Sequence, residues 1–429
     1  MARRSRRPAA PRQRAAHDAP ALGPDRAFEF KPSLRLRTDP AHRAALRDKD
    51  LGYFRIFVGP AAGPRAFVSA GFEKRLKRLL ANGRITEQTW LVGGSTGALR
   101  FTALLSGLAS GRNLTWELKE HYCNMYYKKG DTPAVLKPMM ERAYQICAPR
   151  KHIDAVLGHP QLRLAILVAN VWPMFQPLPD LALQAVFAGF FVGNILSQRV
   201  MGGLAQRICF YTGPDPPVFL DNGVGGKGGI QYVPLTSTNI YQVLHATTCV
   251  PFVQERCTFI EGVGTGLFVD GGLTDYYLNS HFTDPDLPAL LLADVPDCNV
   301  YQTVFDCMLP WQRSAPEHMF DNCSAVYPSR TYLEALPESK LPSMSDWFDE
   351  RFIALPERRH MHWRTTFDLS ERLWHHGIHR AKSMPDLHAE AATAAQDAER
   401  DDVAASDRDA RGRTSLARAG SLRKPQFAG

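Results

Sequence analysis

The chain has 429 residues and an apolar fraction of 45%, enough to bury a sizeable core in one large domain or two ordinary ones. Its net charge of +8 comes almost entirely from residues 1–50, which carry 13 Lys and Arg against 6 Asp and Glu. The rest of the chain is close to neutral, so the basic character of the protein lies in its N-terminal residues. Eight scattered cysteines show no zinc-type spacing, so they predict buried free thiols in a reducing, cytoplasmic compartment.

Residues 1–50 are rich in Arg, Ala and Pro and have no apolar period, which predicts a disordered basic arm. Transit peptides are amphipathic and twin-arginine signals are followed by an apolar stretch, and the arm has neither feature. Its charge predicts attraction to an anionic membrane surface, with the protein peripheral at that surface. Nucleic-acid binding is not expected, because neither aromatic interleaving nor a recognisable module accompanies the charges.

From Leu51 onwards, short apolar runs alternate with helical periods. Residues 53–58 predict a strand, and residues 66–80 predict a helix. Residues 89–92 predict a second strand, and another helix begins at Ala98. Strand, turn and helix thus occur twice, a rhythm typical of a parallel sheet covered by helices.

The most apolar stretch lies at residues 181–196. It is short for a transmembrane span and contains Gln184 and Asn194, so a buried core helix is favoured over a membrane-contacting face or a span. Beyond residue 310 the sequence is aromatic and charged without a clear period, and its end is rich in Ala, Asp and Arg. The predicted organisation is a disordered arm at 1–50, a folded domain at 51–310, a helical or irregular extension at 311–380 and a disordered tail at 381–429.

Residues 93–97 read Gly-Gly-Ser-Thr-Gly, which matches the G-x-S-x-G nucleophile elbow. Glycines two residues before and after the serine permit a tight strand-to-helix turn that side chains there would block. Such a turn exposes the Ser95 hydroxyl at a helix N-terminus, where unpaired N–H groups favour a developing oxyanion. The alternative for this short motif is a purely structural turn. The elbow residues around the serine are Gly93, Gly94, Thr96 and Gly97.

A serine hydroxyl needs a base to remove its proton. Asp270 follows a predicted strand and precedes Gly271 and Gly272, so this turn can hold a carboxylate at a strand end. The structural alternative is an Asp-Gly turn that closes a hairpin. A Ser–acid–His order would instead use a downstream histidine, but none lies in a context that singles it out. No Cys, His or carboxylate spacing indicates a metal site.

Residues 61–66, Ala-Ala-Gly-Pro-Arg-Ala, connect the first predicted strand to the first predicted helix. The amide N–H groups of Ala62 and Gly63 are candidates to converge on a carbonyl oxygen beside Ser95, whereas Pro64 has no N–H to donate. An ordinary connecting loop is the alternative for this stretch.

The Gly-x-Arg loop, GGSTGA at residues 93–98 and DGGLTD at residues 270–275 occur in an order that resembles the patatin-like phospholipases. Residues 244–251 also look like the small-residue helix that ends in proline before the family's aspartate hairpin. The similarity covers about residues 51–300. It implies a three-layer α/β/α patatin-like fold with a mainly parallel central sheet, here flanked by disordered termini.

The resemblance also implies a Ser–Asp dyad without histidine. It places the nucleophile on Ser95, the base on Asp270 and the oxyanion hole on the backbone of Ala62 and Gly63, with Arg65 fixing that loop. Substrates in the family are membrane lipids and related acyl esters, and no cofactor is implied. We therefore expect a lipid acyl hydrolase that acts through an acyl-enzyme.

Two departures from the family pattern bear on this expectation. In the family this loop is usually a run of glycines followed by Arg or Lys and a final glycine. Here alanines replace two glycines of the run, and Ala66 replaces the final glycine. The Cβ atoms of these alanines narrow the oxyanion loop. Tyr276 and Leu278 stand where the family often has Asn and Pro. The altered oxyanion loop supports one alternative, a patatin-like fold that has lost turnover and serves as a binding or scaffold module. The other alternative is a Ser-His-Asp esterase.

Overall fold

The computed structural model shows an α/β architecture built around one mixed β-sheet. It describes residues 33–38, 40–127, 130–197, 203–221, 229–278, 282–311, 313, 317–375 and 382–383. The strands are β1 (Leu34–Arg37), β2 (Ile56–Gly59), β3 (Thr89–Gly94), β4 (Leu162–Val171), β5 (Ala205–Tyr211), β6 (Ile230–Pro234), β7 (Cys257–Ile260), β8 (Gly264–Asp270), β9 (Ala289–Leu292), β10 (Cys323–Pro328) and β11 (Lys382–Ser383). The α-helices are α1 (Pro40–Lys49), α2 (Gly71–Ala81), α3 (Ser95–Ser110), α4 (Leu114–Asn124), α5 (Pro133–Cys147), α6 (Ile153–Leu157), α7 (Asp180–Leu196), α8 (Ile240–Thr248), α9 (Arg330–Glu334), α10 (Glu350–Ala354) and α11 (Pro356–His375).

The sheet runs in the order β11-β1-β10-β9-β2-β3-β4-β5-β6, and β8 pairs with both β4 and β7. Neighbours from β10 through β4 are parallel, whereas the β1–β10, β4–β5, β4–β8 and β7–β8 pairs are antiparallel. Side chains alternate between the two faces of the strands. Phe57 and Leu91 enter one hydrophobic cluster, and Val58 and Val92 enter another. The sheet is therefore buried on both faces at its centre.

Strand β4 brings two other strand ends together. The first half of β4 pairs in parallel with β3, and its second half pairs antiparallel with β8. In this register Gly94 lies opposite Leu167, and Asp270 lies opposite Val168. Because β5 occupies the other edge of β4, β3 and β8 approach each other end to end on one edge. The residue after β3 and the last residue of β8 are thus neighbours in space.

The ordered structure begins further upstream than the sequence predicts. Strand β1 and helix α1 both lie within residues 1–50, the range predicted to be disordered, and β1 pairs with β10. His42 of α1 is buried, with its ring nitrogens 3.0 Å from Ser324 Oγ and from Asn322 Oδ1. This part of the prediction was wrong, because the partners of the segment lie far away in sequence. Residues 1–32 lie outside the described residues.

The predicted boundary at residue 310 cuts through the sheet. Strand β10 lies between β1 and β9, so residues 311–380 are not only a helical or irregular extension. Helix α11 packs on α2, where the rings of Trp374 and Phe72 are 5.6 Å apart. Of the predicted tail at residues 381–429, two residues form β11 beside β1, and the remainder lies outside the described residues.

Helix α7 occupies the most apolar stretch of the sequence but is only partly a core helix. Leu183, Phe187 and Phe190 are buried, whereas Leu181 and Leu196 are 79% and 80% exposed. Among the described residues, no helix combines the length and the hydropathy of a transmembrane span.

Candidate active site

Ser95 stands at the turn between β3 and α3, where it is the first residue of the helix. Its φ is +50°, a left-handed conformation that is uncommon for a residue with a Cβ. A conformation of this kind persists only where the surrounding structure holds it, and such positions cluster at functional sites. The nucleophile predicted from the motif therefore has the strained backbone that an elbow requires.

Two glycines of the elbow are required because other backbone segments approach them closely. A Cβ on Gly97 would lie 2.1 Å from the carbonyl oxygen of Gly59, and a Cβ on Gly93 would lie 2.7 Å from a backbone nitrogen of α3. Gly94 differs, because a Cβ there would meet nothing closer than Ala61 Cβ, at 3.8 Å. Packing thus explains the glycines two residues before and two residues after Ser95.

Thr247 of α8 holds the elbow from the opposite side. Its hydroxyl accepts the backbone N–H of Ser95 at 2.9 Å and donates to the carbonyl oxygen of Leu167 at 2.7 Å. One hydroxyl therefore links the start of α3 to strand β4 and helix α8. The N–H of Ser95 and the carbonyl oxygen of Leu167 are both buried, so each needs a hydrogen-bond partner within the protein.

Asp270 ends β8, close enough to the Ser95 hydroxyl for that group to lower the pKa of its carboxyl. Its Oδ1 accepts a hydrogen bond from the N–H of Gly272, at 2.8 Å. Burial raises the pKa of Asp270 to about 6, although the Ser95 hydroxyl and the Gly272 N–H oppose this shift. A carboxylate with that pKa is a stronger base than an ordinary aspartate and is still ionised at neutral pH.

Gly271 and Gly272 allow this turn to pack tightly. A Cβ on Gly271 would lie 2.8 Å from the carbonyl oxygen of Leu167, and a Cβ on Gly272 would lie 2.8 Å from Ala61 Cβ. The Asp-Gly-Gly sequence therefore fits between β4 and the loop that follows β2. This is the position that brings the aspartate to the serine.

Ser95 and Asp270 both line a cavity of about 370 Å³, named here the dyad cavity. No histidine of the described residues lines it. Among the residues that the structure describes, no group of three or more His, Cys, Asp or Glu side chains is arranged to hold a metal ion. The apolar wall includes Leu99, Met125, Leu136, Met140, Val250 and Val253.

The loop after β2 continues into a 3₁₀ helix at Gly63–Ser69 and also lines the dyad cavity. Its geometry corrects the predicted pair of amide donors. The N–H of Ala62 already donates to the carbonyl oxygen of Pro60 at 2.8 Å, so it is not available to a substrate. The N–H of Gly63, a residue with φ of +52°, bonds to no described residue. Gly63 is therefore the candidate oxyanion donor of this loop.

A buried ion cluster that sequence analysis missed anchors the 3₁₀ helix. Arg100 of α3 donates to Glu73 Oε1 at 2.5 Å and to the carbonyl oxygens of Ala66 and Ser69 at 3.1 and 2.8 Å. Lys119 Nζ donates to Glu73 Oε2 at 3.0 Å. Burial alone would raise the pKa of Glu73, but the charges of Arg100 and Lys119 lower it. Because Arg100 is on the same helix as the nucleophile, the cluster fixes the loop relative to the elbow.

Arg65, predicted to fix the loop, connects it to the segment after β9. Its Nη1 donates to Tyr301 Oη at 3.2 Å. The carboxylate of Asp294 is buried nearby and accepts a hydrogen bond from the Tyr277 hydroxyl. Burial alone would lower the pKa of Arg65, but the negative charge of Asp294 raises it, so the guanidinium stays charged.

One wall of the dyad cavity comes from the C-terminal part of the chain. Asp346 shapes this wall, because its carboxylate accepts the backbone N–H of Ser343 at 3.0 Å and Trp363 Nε1 at 2.8 Å. The sequence of this segment predicts only an extension, since nothing in its local pattern marks contact with a distant site. The wall residues are Ser343, Met344, Trp347 and Phe348.

No protein-family model matches the chain, and no curated protein matches it. The resemblance to the patatin-like phospholipases therefore rests on the sequence motifs themselves. The structure brings the loop after β2, Ser95 and Asp270 to one cavity.

Proposed function

We propose that the protein is a serine-dependent lipid acyl hydrolase of the patatin-like type, with Ser95 as nucleophile and Asp270 as its base. The observation that carries the proposal is that Ser95, at the strained turn after β3, and the carboxyl of Asp270 line the same apolar cavity, close enough for the Ser95 hydroxyl to lower the pKa of Asp270. The absence of a histidine among the described residues that line this cavity supports Asp270 as the group that takes the Ser95 proton.

The proposed reaction has two steps. In the first, the Ser95 oxygen attacks the carbonyl carbon of an acyl ester while its proton passes to Asp270. The ester C–O bond then breaks, and the proton moves from Asp270 to the leaving alcohol. In the second step, water attacks the acyl-enzyme and gives a proton to Asp270, which returns it to the Ser95 oxygen as the fatty acid leaves.

Backbone donors support stabilisation of the negative oxygen that forms in each step. Gly63 lines the dyad cavity and has an uncommitted N–H. Thr96, which also lines it, lies in the first turn of α3, where N–H groups lack partners within the helix. An oxyanion donor of this kind lowers the barrier by about 3 kcal/mol in serine hydrolases.

The apolar wall favours a fatty-acyl group over a small polar acyl group. A fatty-acyl chain bound there would bury its own apolar surface and the apolar surface of the wall, and removal of both from water favours binding. We infer that the substrates are acyl esters of membrane lipids. We also infer that the helices and the central sheet form the three-layer arrangement of the patatin-like fold, which the two hydrophobic clusters on opposite sheet faces support.

Labelling with a fluorophosphonate probe, read by intact mass, tests the proposal. Wild type should gain one probe, whereas Ser95→Ala should gain none and Asp270→Asn should react at least 100-fold more slowly. The folded state of each variant is checked by circular dichroism. If folded wild type remains unlabelled from pH 5 to 9 with and without lipid vesicles, the scaffold alternative replaces the enzyme proposal.

The alternative with a Ser–acid–His order is tested by a panel of His→Ala variants at the histidines that follow Asp270 in the sequence. These are His281, His318, His360, His362, His375, His376, His379 and His388. The dyad proposal expects each variant to keep the labelling rate of wild type within about threefold. A loss in any one of them comparable with that of Asp270→Asn would favour the triad.

We further propose that the basic N-terminal arm attracts the protein to anionic membranes from the cytoplasmic side. Residues 1–32 carry eight Lys and Arg against three Asp and Glu. Deletion of these residues should weaken co-sedimentation with phosphatidylserine vesicles at low salt and leave binding to neutral vesicles unchanged. Equal binding of both forms to anionic vesicles would remove this role of the arm.

A further inference from the structure

A second cavity, of about 480 Å³ and named here the side cavity, is lined by residues of α5, of α8 and of the segment before β7. Its wall and that of the dyad cavity have two described residues in common, Met140 of α5 and Gln254 of the segment before β7. These two side chains therefore form the partition between the space beside Ser95 and the side cavity.

Three successive turns of α5 follow the path from one cavity to the other. Leu136, Met140 and Tyr144 lie four residues apart, so they share one face of the helix. Leu136 lines the dyad cavity, Met140 lines both cavities, and Tyr144 lines the side cavity. An alkyl chain that followed this face away from the dyad cavity would therefore meet Met140 before it reached the side cavity.

The two side chains of the partition differ in how they are held. Gln254 is fixed, because its Nε2 donates to the carbonyl oxygen of Thr248 at 2.5 Å and its Oε1 accepts the Tyr144 hydroxyl at 3.3 Å. Met140 is buried and carries an apolar, flexible thioether, so packing holds its side chain. Removal of the Met140 side chain is thus the simplest way to open the partition.

The two cavities differ in what they offer to an alkyl chain. The dyad cavity has an apolar wall of Leu, Met and Val side chains, whereas the wall of the side cavity includes Lys137, Glu141, Arg150, His245 and Glu255. Lys137 Nζ donates to Glu255 Oε2 at 2.8 Å, and neither side chain is buried. Removal of an alkyl chain from water against apolar groups is favourable, but burial of solvated charges beneath it is costly. The favourable space for an acyl chain therefore ends at the partition.

We propose that Met140 sets the longest acyl chain that the dyad cavity accepts. This inference rests on the proposed function and makes Met140 a specificity-determining residue for it. In a chain that stops short of Met140, each further methylene adds buried apolar contact. A longer chain would have to displace the Met140 side chain from its packed position. Met140→Ala would join the two cavities and let longer chains pass.

Equilibrium dialysis of the full-length Ser95→Ala protein against radiolabelled saturated fatty acids of eight to eighteen carbons tests this limit without catalysis. A fatty acid is the product that the proposed reaction leaves in the cavity. Affinity should rise with chain length to a maximum and then fall. In the Ser95→Ala, Met140→Ala double variant the maximum should lie at least two carbons higher, because the partition is open.

Met139→Ala, also on the Ser95→Ala background, is the matched control. It removes the same atoms from the neighbouring half-buried methionine, which lines neither cavity, and it should leave the maximum unchanged. Met140→Leu keeps a side chain of similar volume and should also retain the maximum. If circular dichroism shows that Met140→Ala does not fold, Met140→Val gives a smaller opening with the same direction of change.

Three results of the dialysis would overturn the inference. The first is absence of binding, or an affinity that rises through the whole series in Ser95→Ala. The second is a maximum that stays in place when Met140 is truncated. The third is an equal shift with Met139→Ala.

Hydrolysis of p-nitrophenyl esters by proteins that retain Ser95 separates this inference from the proposed function. For two esters whose acyl chains fall on either side of the limit, Met140→Ala should raise the ratio of kcat/KM, long chain over short, about tenfold. Met139→Ala should leave this ratio unchanged. Hydrolysis of both esters with no change in the ratio defeats the inference alone. A shifted dialysis maximum without hydrolysis of either ester defeats the proposed function and retains Met140 as the limit of a binding site for fatty acids.

Discussion

The hydroxyl of Thr247 accepts the backbone N–H of Ser95 at 2.9 Å and donates to the carbonyl oxygen of Leu167, the residue opposite Gly94 in the sheet. A side chain from α8 thus occupies the place where β3 stops and α3 starts. The strained conformation of Ser95 is held by this contact together with close packing of the elbow glycines.

Replacement of Thr247 by Val should loosen the elbow. Val has nearly the shape of Thr but no hydroxyl, so two buried backbone groups would lose their partner at a cost of about 1–3 kcal/mol each. Thr247→Ser keeps the hydroxyl and is the matched control. We expect Thr247→Val to lower both the urea midpoint and the fluorophosphonate labelling rate, and Thr247→Ser to retain the rate. Equal rates for both variants would contradict this role.

The pH dependence of acylation should report Asp270. Only the ionised carboxylate can accept the Ser95 proton, and burial raises the pKa of Asp270 to about 6. The labelling rate should therefore rise between about pH 5 and pH 7 and level off above. A rate that is flat from pH 5 upward would indicate an aspartate of ordinary pKa.

The same shift predicts a pH-dependent gain in stability on Asp270→Asn. A carboxyl whose pKa rises from 3.8 to about 6 on folding stabilises the fold below pH 3.8 relative to higher pH, and this stabilisation is lost as pH rises through 6. Asn resembles the protonated acid. We expect the variant to exceed wild type in unfolding free energy by roughly 1–3 kcal/mol at pH 8 and to approach it near pH 4. Urea titrations at the two pH values measure the difference, and a constant difference would refute the assignment.

Two alanine substitutions in the elbow should behave oppositely. Gly97→Ala would place a Cβ 2.1 Å from the Gly59 carbonyl oxygen, so β2 and α3 would have to separate. Gly94→Ala would meet Ala61 Cβ at 3.8 Å, an ordinary contact, and Gly94 has a φ of −114° that alanine adopts readily. We expect Gly97→Ala to give a low soluble yield or a melting temperature at least about 5 °C below that of wild type, and Gly94→Ala to show neither effect. In a large domain a 5 °C decrease corresponds to a loss of about 2 kcal/mol in unfolding free energy. Comparable melting of both variants would contradict the packing explanation.

The buried ion cluster should matter more than an ion pair at the surface. Arg100→Met would leave Glu73 with Lys119 alone and remove the donors to the 3₁₀ helix, at a cost of about 3–5 kcal/mol. Lys74→Met breaks the exposed bridge from Lys74 to Glu371, which contributes at most about 1 kcal/mol. Urea denaturation of both variants measures the contrast. Similar losses would show that the cluster does not anchor the fold.

The motifs of the candidate site could be predicted because each is local. The glycines around Ser95 and after Asp270 mark tight turns, and each turn motif lies within a stretch of at most five residues. The proximity of Ser95 and Asp270 depends instead on the register of β3 and β8 along β4, which no local sequence pattern reveals. The predicted pair of amide donors needs one correction, because the backbone turn commits the Ala62 N–H to the carbonyl oxygen of Pro60. The Gly63 donor stays a prediction.

The features that the sequence does not predict depend on contacts between residues far apart in the chain. Charged residues such as Glu73, Arg100 and Lys119 in helices usually face solvent, and only their mutual contact permits their burial. Strand β1 is four residues long and gains its stability from β10, near the other end of the described chain. The C-terminal wall of the dyad cavity was missed for the same reason.

That wall has a consequence for biosynthesis. A ribosome completes both members of the proposed dyad well before it makes Trp347 and helix α11. Trp363 of this helix packs beside Trp347, with the two rings 5.4 Å apart. Until that segment emerges and docks, the dyad cavity is open on one side. If the proposed activity depends on the closed cavity, the nascent chain cannot attack nearby membranes during translation, and maturation of the enzyme coincides with completion of its fold.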